Sequence, residues 1–412
     1  MNELNGVTVT KQEGGLNRLQ KNTDNVRGLV VSGVAATGLA LDVSTPLNSI
    51  DAAKALGITK QYDTDNAVLV YHHILRFFQK NPFGKLWLRL VAQTVSLEDM
   101  VDKDFVGLCA VEKLMIDSGG EIKRFGIVRN PASGYTPTIT DGLDSDVLAA
   151  VPKAEALTAK LFGDHYPTGV IIEGRSFSGN AASAKDLRTM QSPGASVCIG
   201  ADLDVAEDAA NPQAAYADIG TLLGVSSAAR VHENVGWVEK FNIQSAADGA
   251  FVRPGYSGGL ALSAISAADQ KTLNDKGYIF LRTFVGYPGV YFNDSHTCTD
   301  ISSDYAYTED VDVLHKAVRS VYAALVPKTN SPVKVDSDGK LHPSFIANFT
   351  AIAENALNQM LVSEEISGVE VWIDPDQDIN ATGILLVRIR VLKNGTARWI
   401  GVNIGFTAKI AA

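Results

Sequence analysis

Leu385-Leu386-Val387-Arg388-Ile389-Arg390-Val391-Leu392, then Lys393-Asn394-Gly395, then Trp399-Ile400-Gly401-Val402-Asn403-Ile404-Gly405-Phe406: the reading of the fold starts from this stretch. Leu385, Val387, Ile389 and Val391 alternate with Leu386, Arg388, Arg390 and Leu392. Ile400, Val402, Ile404 and Phe406 alternate with Trp399, Gly401, Asn403 and Gly405. Successive side chains of a strand point to opposite faces, so each run carries one apolar face, and Asn-Gly is a strong hairpin turn signal. The expectation is a closing antiparallel hairpin. Just upstream, the sequence predicts a strand, a tight turn at Tyr287-Pro288-Gly289 and a short strand with Tyr291 and Phe292. Two amphipathic helices follow. Val311, Leu314, Val318, Val321, Tyr322 and Leu325 fall on one face of the first. Phe345, Phe349, Ile352, Ala356, Leu357 and Met360 fall on one face of the second, with Pro327 and Pro332 breaking the chain between. Both stripes read as core-packing faces.

Working outward, residues 50–244 alternate helix and strand signals. Helices are predicted over 65–79, 97–117, 144–162, 181–190 and 212–223. Strands are predicted over 86–92, 123–128, 170–173 and 197–199, after a first buried strand around Leu29-Val30-Val31 and a loop with Thr45-Pro46. Such alternation argues for a largely parallel sheet in an α/β layer. The fold class expected is therefore α/β and α+β. It comprises an extended N-terminal arm (1–27), an α/β region (28–244) that can include an inserted outer domain, a Gly/Ala/Ser-rich linker and loop (245–277), and a C-terminal α+β domain (278–412) with antiparallel closing strands. The arm is polar, with a short alternating run at Val7-Thr8-Val9-Thr10.

Composition narrows the function. Hydrophobic residues make up 46% and charged residues 20%, which is globular rather than disordered. A net charge of −10 argues against nucleic-acid binding, which leaves a basic footprint. No apolar run is long enough to span a bilayer, and the first residues lack the basic and apolar regions of a secretion signal, so cytoplasmic synthesis and assembly are expected. Cys109, Cys198 and Cys298 are far apart in sequence and form no CxxC pair, so they read as small buried hydrophobes.

Each catalytic or ligand motif has a plainer reading beside it. No glycine loop of phosphate-binding pattern is present. Asp374-Pro375-Asp376-Gln377-Asp378 has calcium-loop spacing, but Leu385 stands where the bidentate Glu belongs, so a solvated turn is expected; Asp336-Ser337-Asp338-Gly339 reads likewise. His232-Glu233 opens no HExxH, because Gly236 occupies the second histidine's position. His72 and His73 are adjacent on a helix and are not expected to face one metal. Gly255-Tyr256-Ser257-Gly258-Gly259 fits the GxSxG nucleophile elbow, and His296, His315 and His342 lie downstream. Pro254 and the short candidate strand Ala250-Phe251-Val252 give that elbow a poor frame, so a loop between domains is expected instead. No catalytic, cofactor or metal residues are assigned.

The C-terminal residues also resemble a known family. Gly289-Val290-Tyr291-Phe292-Asn293-Asp294, Ser303-Asp304-Tyr305, the helix end Ala324-Leu325-Val326-Pro327, and the stretch from Trp372-Ile373-Asp374-Pro375-Asp376-Gln377-Asp378 to Phe406 look like the C-terminal domain of contractile tail sheath proteins, found in phage tails, R-type pyocins and injection systems. The resemblance implies a structural subunit of stacked hexameric rings around an inner tube, contracting to drive the tube through a membrane. Its implied partners are further copies of itself, the inner tube protein, and baseplate and terminator proteins; the target membrane is met only indirectly. It also implies terminal arms that add strands to neighbouring subunits, with Val7, Thr8, Val9, Thr10, Arg398, Ile400, Val402, Ile404 and Phe406 as candidates. The closing hairpin reads either as internal to one subunit or as an acceptor whose open edge takes a neighbour's arm. The acceptor reading is preferred, because only Arg388, Arg390 and Arg398 lie near enough to blunt that edge. An α/β hydrolase using Ser257 and a non-contractile coat or tube component are the rival readings.

Overall fold

The computed structural model describes residues 24–208 and 213–407. The Val7–Thr10 run lies outside the described residues. β1 (Val26–Gly33) is buried along its whole length. β2 (Ser44–Leu47) takes up Thr45-Pro46, expected in a loop; proline is tolerated because β2 is an antiparallel edge strand. α1 (Ile50–Ala55) and α2 (Lys60–Asn66) begin at Ser49 and Thr59, whose side chains accept the backbone N–H groups of Ala52 and Tyr62. The single helix expected over 65–79 is interrupted at Ala67, which adopts a φ of 51°, before α3 (Val70–Lys80). β3 (Lys85–Ala92) follows. The helix expected over 97–117 is two helices, α4 (Leu97–Val101) and α5 (Ala110–Asp117), because the chain turns extended at Asp102. β4 (Arg124–Val128), the short hairpin of β5 (Ile139–Thr140) and β6 (Leu143–Asp144), α6 (Ser145–Gly163) and β7 (Gly169–Glu173) come next.

The helix expected over 181–190 shrinks to one 3-10 turn at Leu187–Met190. β8 (Ala195–Cys198), β9 (Gly200–Asp202) and α7 (Leu203–Asp208) lead to α8 (Ile219–Ala228). That helix starts later than 212, where Asp218 accepts the N–H of Thr221 and fixes the N-terminus. β1, β3, β4, β7 and β8 are parallel, and the sheet order is β2-β3-β1-β4-β7-β8. Its strands are buried on both faces, so they read as near-continuous apolar runs. Val30, Phe125, Ile127, Val170 and Ile172 pack under α4, α5 and α6. Leu29, Val31, Val128 and Ile171 pack under α1, α3 and α8 on the other face.

The stretch expected to be an interdomain linker is instead a wall of this core. β10 (Pro254–Tyr256) pairs with β9 and with β11 (Leu260–Ala261), and Phe251, Tyr256 and Ser257 are fully buried. Two large aromatic residues among small ones make the segment pack rather than swing free. After α9 (Ala267–Asp275), β12 (Leu281–Phe284) and β13 (Tyr287–Phe292) form a hairpin turning at Val285-Gly286, two residues before the expected turn. Leu281, Val290 and Phe292 from it join the α3/α8 core.

α10 (Thr308–Leu325) and α11 (Pro343–Val362) pack together, then β14 (Ile366–Trp372), α12 (Ile379–Thr382) and β15 (Arg388–Lys393) complete the described chain. Val313, Ala317, Leu357, Met360 and Ile366 form the core here, with Val369, Ile389 and Val391 against it. The buried stripe on α10 is shifted from the expected one: Val311, Val313, His315 and Ala317 are buried, while Tyr322 is exposed. Polar Thr308, Glu309 and His315 are buried on the same helix because it is covered on more than one side.

Candidate functional site

β14 and β15 form an antiparallel pair, with Trp372 opposite Arg388 and Val369 opposite Val391. This corrects the expected closing hairpin. Within the expected first strand, Arg388–Lys393 pairs backwards with β14, Asn394-Gly395 does not turn the chain onto β15, and residues 394–407 form no strand. The two-stranded sheet therefore leaves both outer edges without a ladder partner among the described residues. A lone strand pair of this kind is marginal in water without further strands or packing.

Beyond it the chain runs out as an arm. Trp399, Ile400, Val402, Ile404 and Phe406 are 90%, 78%, 70%, 92% and 111% exposed. Together they form a run of exposed apolar side chains. Extended, this segment would present Ile400, Val402, Ile404 and Phe406 on one face and Gly401, Asn403 and Gly405 on the other.

Arg398, grouped with them as a strand-addition residue, is engaged within its own subunit. Its Nε lies 3.0 Å from Asp294 Oδ2, a second nitrogen bonds Glu309, and its guanidinium stacks 3.3 Å from the centre of the Tyr307 ring. The side chain is only 27% exposed although the surrounding backbone is open. Asn234 Nδ2 donates to Asp294 (2.5 Å), Ser295 Oγ (3.0 Å) and Glu309 (3.1 Å), and Ser295 Oγ donates to Glu309. Burial pushes the Glu309 carboxyl up to about 7, against the pull of Arg398. Next to Glu309, Asp310 receives Lys393 Nζ at 2.5 Å, so α10's first turn anchors two basic residues of the C-terminal segment. Sequence reading missed this acceptor pair; Glu309-Asp310 before an amphipathic helix was its one local signal.

The nucleophile-elbow motif is not assembled as one. Ser257 sits in the β10–β11 turn, its Oγ buried and donating to the carbonyl of Gly174. Glycines at φ 92° and 81° turn the chain into β11, not into a helix. His296 bonds Arg188 (2.6 Å) and Asn274 (3.0 Å), His342 caps α11, and His315 lies buried beside Phe162, so none of the three contacts Ser257.

His72 and His73 do converge, contrary to expectation: with Asp218 they bring ligand-type atoms within 4.8 Å of one another. Most of the donor set is already in use, with His73 Nε2 buried and without a hydrogen-bond partner. Gly220 N–H donates to His73 Nδ1 (3.1 Å), Thr221 N–H to Asp218 Oδ1 (2.9 Å), and His72 Nε2 lies 3.2 Å from Asp218 Oδ2. Arg76 Nε, 3.9 Å from that same oxygen, would repel a metal ion. Burial lowers His73 to about 3, with His72 adding to the effect. The cluster ties α3 to the N-terminus of α8.

Asp374 Oδ1 accepts the N–H of Asp376, Lys340 pairs with Asp376 at 2.6 Å and Asp378 caps α12, so the calcium-like spacing is a hydrogen-bonded turn. The three cysteines are free and buried, with Cys109 pushed up to about 11 and Cys198 and Cys298 to about 12 by burial. No helix of the described residues is long and apolar enough to cross a membrane.

Comparison with known proteins agrees with this architecture. The DUF2586 N-terminal domain profile matches residues 4–296 and the DUF2586 C-terminal domain profile matches 304–411. No curated protein sequence matches. Among solved structures, the anti-feeding prophage helical sheath in its contracted state is 16% identical, with a TM-score of 0.60 over 97% of this chain and 100% of that chain. A contracted sheath complex of the extracellular contractile injection system PVC is 14% identical, with a TM-score of 0.58 over 100% and 99%. The sheath tail protein of Desulfitobacterium hafniense is 8% identical, with a TM-score of 0.50 over 94% and 100%. The chain belongs to the DUF2586 family and has the fold of contractile tail sheath proteins.

Proposed function

We propose that this protein is the structural subunit of a contractile sheath, polymerising as stacked hexameric rings around an inner tube. The observation that carries the reading is the pairing of a donor with an acceptor on one chain. An exposed apolar arm at 399–406 leaves the body, and the two-stranded β14–β15 sheet keeps open edges. Strand addition satisfies both: main-chain hydrogen bonds supply affinity and alternate side chains supply register. With the arm and the sheet on the same chain, each copy can give a strand to one neighbour and take one from another, a head-to-tail contact that propagates unless two copies exchange arms reciprocally. The acceptor is then β14–β15, and residues 400–406 are donor rather than part of the acceptor hairpin. The N-terminal run Val7–Thr10 is proposed as a second added strand. Contraction is proposed to be driven by a stored conformational free-energy difference, in keeping with a sequence that carries no phosphate-binding glycine loop. Baseplate, terminator and tube proteins are its proposed partners, with cytoplasmic assembly into a tail or injection particle and no direct role for nucleic acid.

Electron microscopy of the purified protein tests this. Tubes with six-fold rings and two states of helical pitch are expected. Monodisperse monomers at all concentrations, or flat sheets, would overturn the reading.

A further inference from the structure

We infer that Arg398 is a latch that holds the root of the C-terminal arm against its own subunit until a neighbour takes the arm, and that release is coupled to the charge of the Asp294–Glu309 pair. The inference rests on the proposed donor role of residues 399–406 and adds how that donor is controlled.

The geometry carries it first. Among the described residues, Arg398 is the one residue between 395 and 406 that makes a hydrogen bond or ion pair to the body of the chain. It stands immediately before the apolar run, so it sets the point on the body from which Trp399–Phe406 departs. Asn394 and Lys393 hold the chain just before it, on Glu364, Ser367 and Asp310. The guanidinium is gripped on three sides, by two carboxylates and a ring face, which a flexible surface arginine is not. Tethering the arm's root removes the freedom of the stretch between Asn394 and Arg398, which strand addition would otherwise have to restrict.

Charge then couples the latch to protonation. Asp294 and Glu309 are 9% and 4% exposed and share the amide of Asn234. With Arg398 in place, two buried negative charges face one positive charge. Without it, they face each other, and one must take up a proton. The released state therefore binds a proton more tightly than the latched state, so lowering the pH favours release. Facing the cluster are Arg282 from β12, Arg188 from the 3-10 turn at 187–190, Lys393 with Asp310, the Tyr307 phenol and His296. Burial lowers His296 to about 4, and Glu309 is the group raised into the neutral range, to about 7.

Spin labels on Ala268→Cys in α9 and Thr396→Cys at the arm's root read the latch directly in the full-length monomer, since the native cysteines are buried. At about pH 8 a single narrow distance peak is expected, lost in Arg398→Gln and retained in Arg398→Lys; at about pH 6 the parent should broaden, while Glu309→Gln should no longer respond to pH. An Arg398→Gln protein with the parent's narrow peak overturns the latch. A parent with equal distributions at both pH values overturns the coupling to Glu309. A parent that shows the latch but forms no tubes supports the latch and refutes the sheath reading instead.

Discussion

Arg124 Nη2 lies 2.7 Å from Asp312 Oδ1, and this ion pair joins the central strand β4 to helix α10 of the C-terminal unit. Arg124 is 2% exposed and also donates to the carbonyl of Thr308, so one side chain holds the start of α10 against the sheet. Gly169 beside it has no room for a side chain: a Cβ there would lie 2.8 Å from the guanidinium. Asp312 is 18% exposed and also feels Arg27 and Arg319, so its charge is only partly uncompensated when Arg124 is removed. Arg124→Leu is expected to lower stability by about 1–3 kcal/mol. Urea unfolding followed by both circular dichroism and tryptophan fluorescence checks this, and a midpoint equal to the parent's would show that the pair contributes nothing.

Gly220 and Gly224, four residues apart on α8, both face the backbone of α3. A Cβ on Gly220 would sit 2.3 Å from the carbonyl oxygen of His73, and one on Gly224 would sit 2.7 Å from that of Phe77. The clashing atoms are backbone, which cannot rotate away. Gly224→Ala should therefore destabilise by about 1–3 kcal/mol despite alanine's better helix propensity. A thermal midpoint at or above that of the parent would show that the two helices can separate freely.

The large sheet was legible because parallel strands buried on both faces appear as apolar runs, as in Leu29-Val30-Val31 and Leu86–Leu90. What escaped reading depended on partners far along the chain. Ser257 meets Gly174 and His72 meets Asp218 only after folding, so neither the buried turn at 255–259 nor the convergence of the histidines has a local signature. Helix breaks at Ala67 and Asp102 lie within good helical periodicity, and nothing short of the tertiary packing places them. At the C-terminus the strand at Arg388–Lys393 was legible from alternation, but its partner was not, and the alternating run Ile400–Phe406 forms no strand. Arg398 draws the chain onto Asp294 and Glu309, away from the free edge of β15, and so overrides the Asn394-Gly395 turn signal.

Ser257→Ala should act on stability alone. The hydroxyl's one observed role is to donate to Gly174, and its loss leaves a buried carbonyl short of a donor, a change worth about 1 kcal/mol. Tube formation is expected to be unchanged. Esterase activity in the parent that disappears in this variant would instead restore the hydrolase reading.

Val402→Pro separates the donor arm from the body of the fold. Proline removes a backbone N–H and fixes φ, so within a strand ladder it breaks a hydrogen bond. In the monomer Val402 is 70% exposed and belongs to no strand, so there is no ladder to break. Monomer stability should stay within about 0.5 kcal/mol of the parent, as for surface positions without special contacts. In a polymer the same residue would lie in the middle of the added strand, its side chain on the apolar face between Ile400 and Ile404, and the lost donor would weaken every copy of the contact. The expected result is a folded, soluble monomer that forms no tubes at concentrations where the parent does. Lys54→Ala on α1, where the exposed Lys54 pairs with Asp51 at 2.9 Å, is the control for general surface damage and should assemble. If Val402→Pro assembles as readily as the parent, residues 399–406 are not the donated strand. Should it instead unfold the monomer, the segment packs into its own subunit.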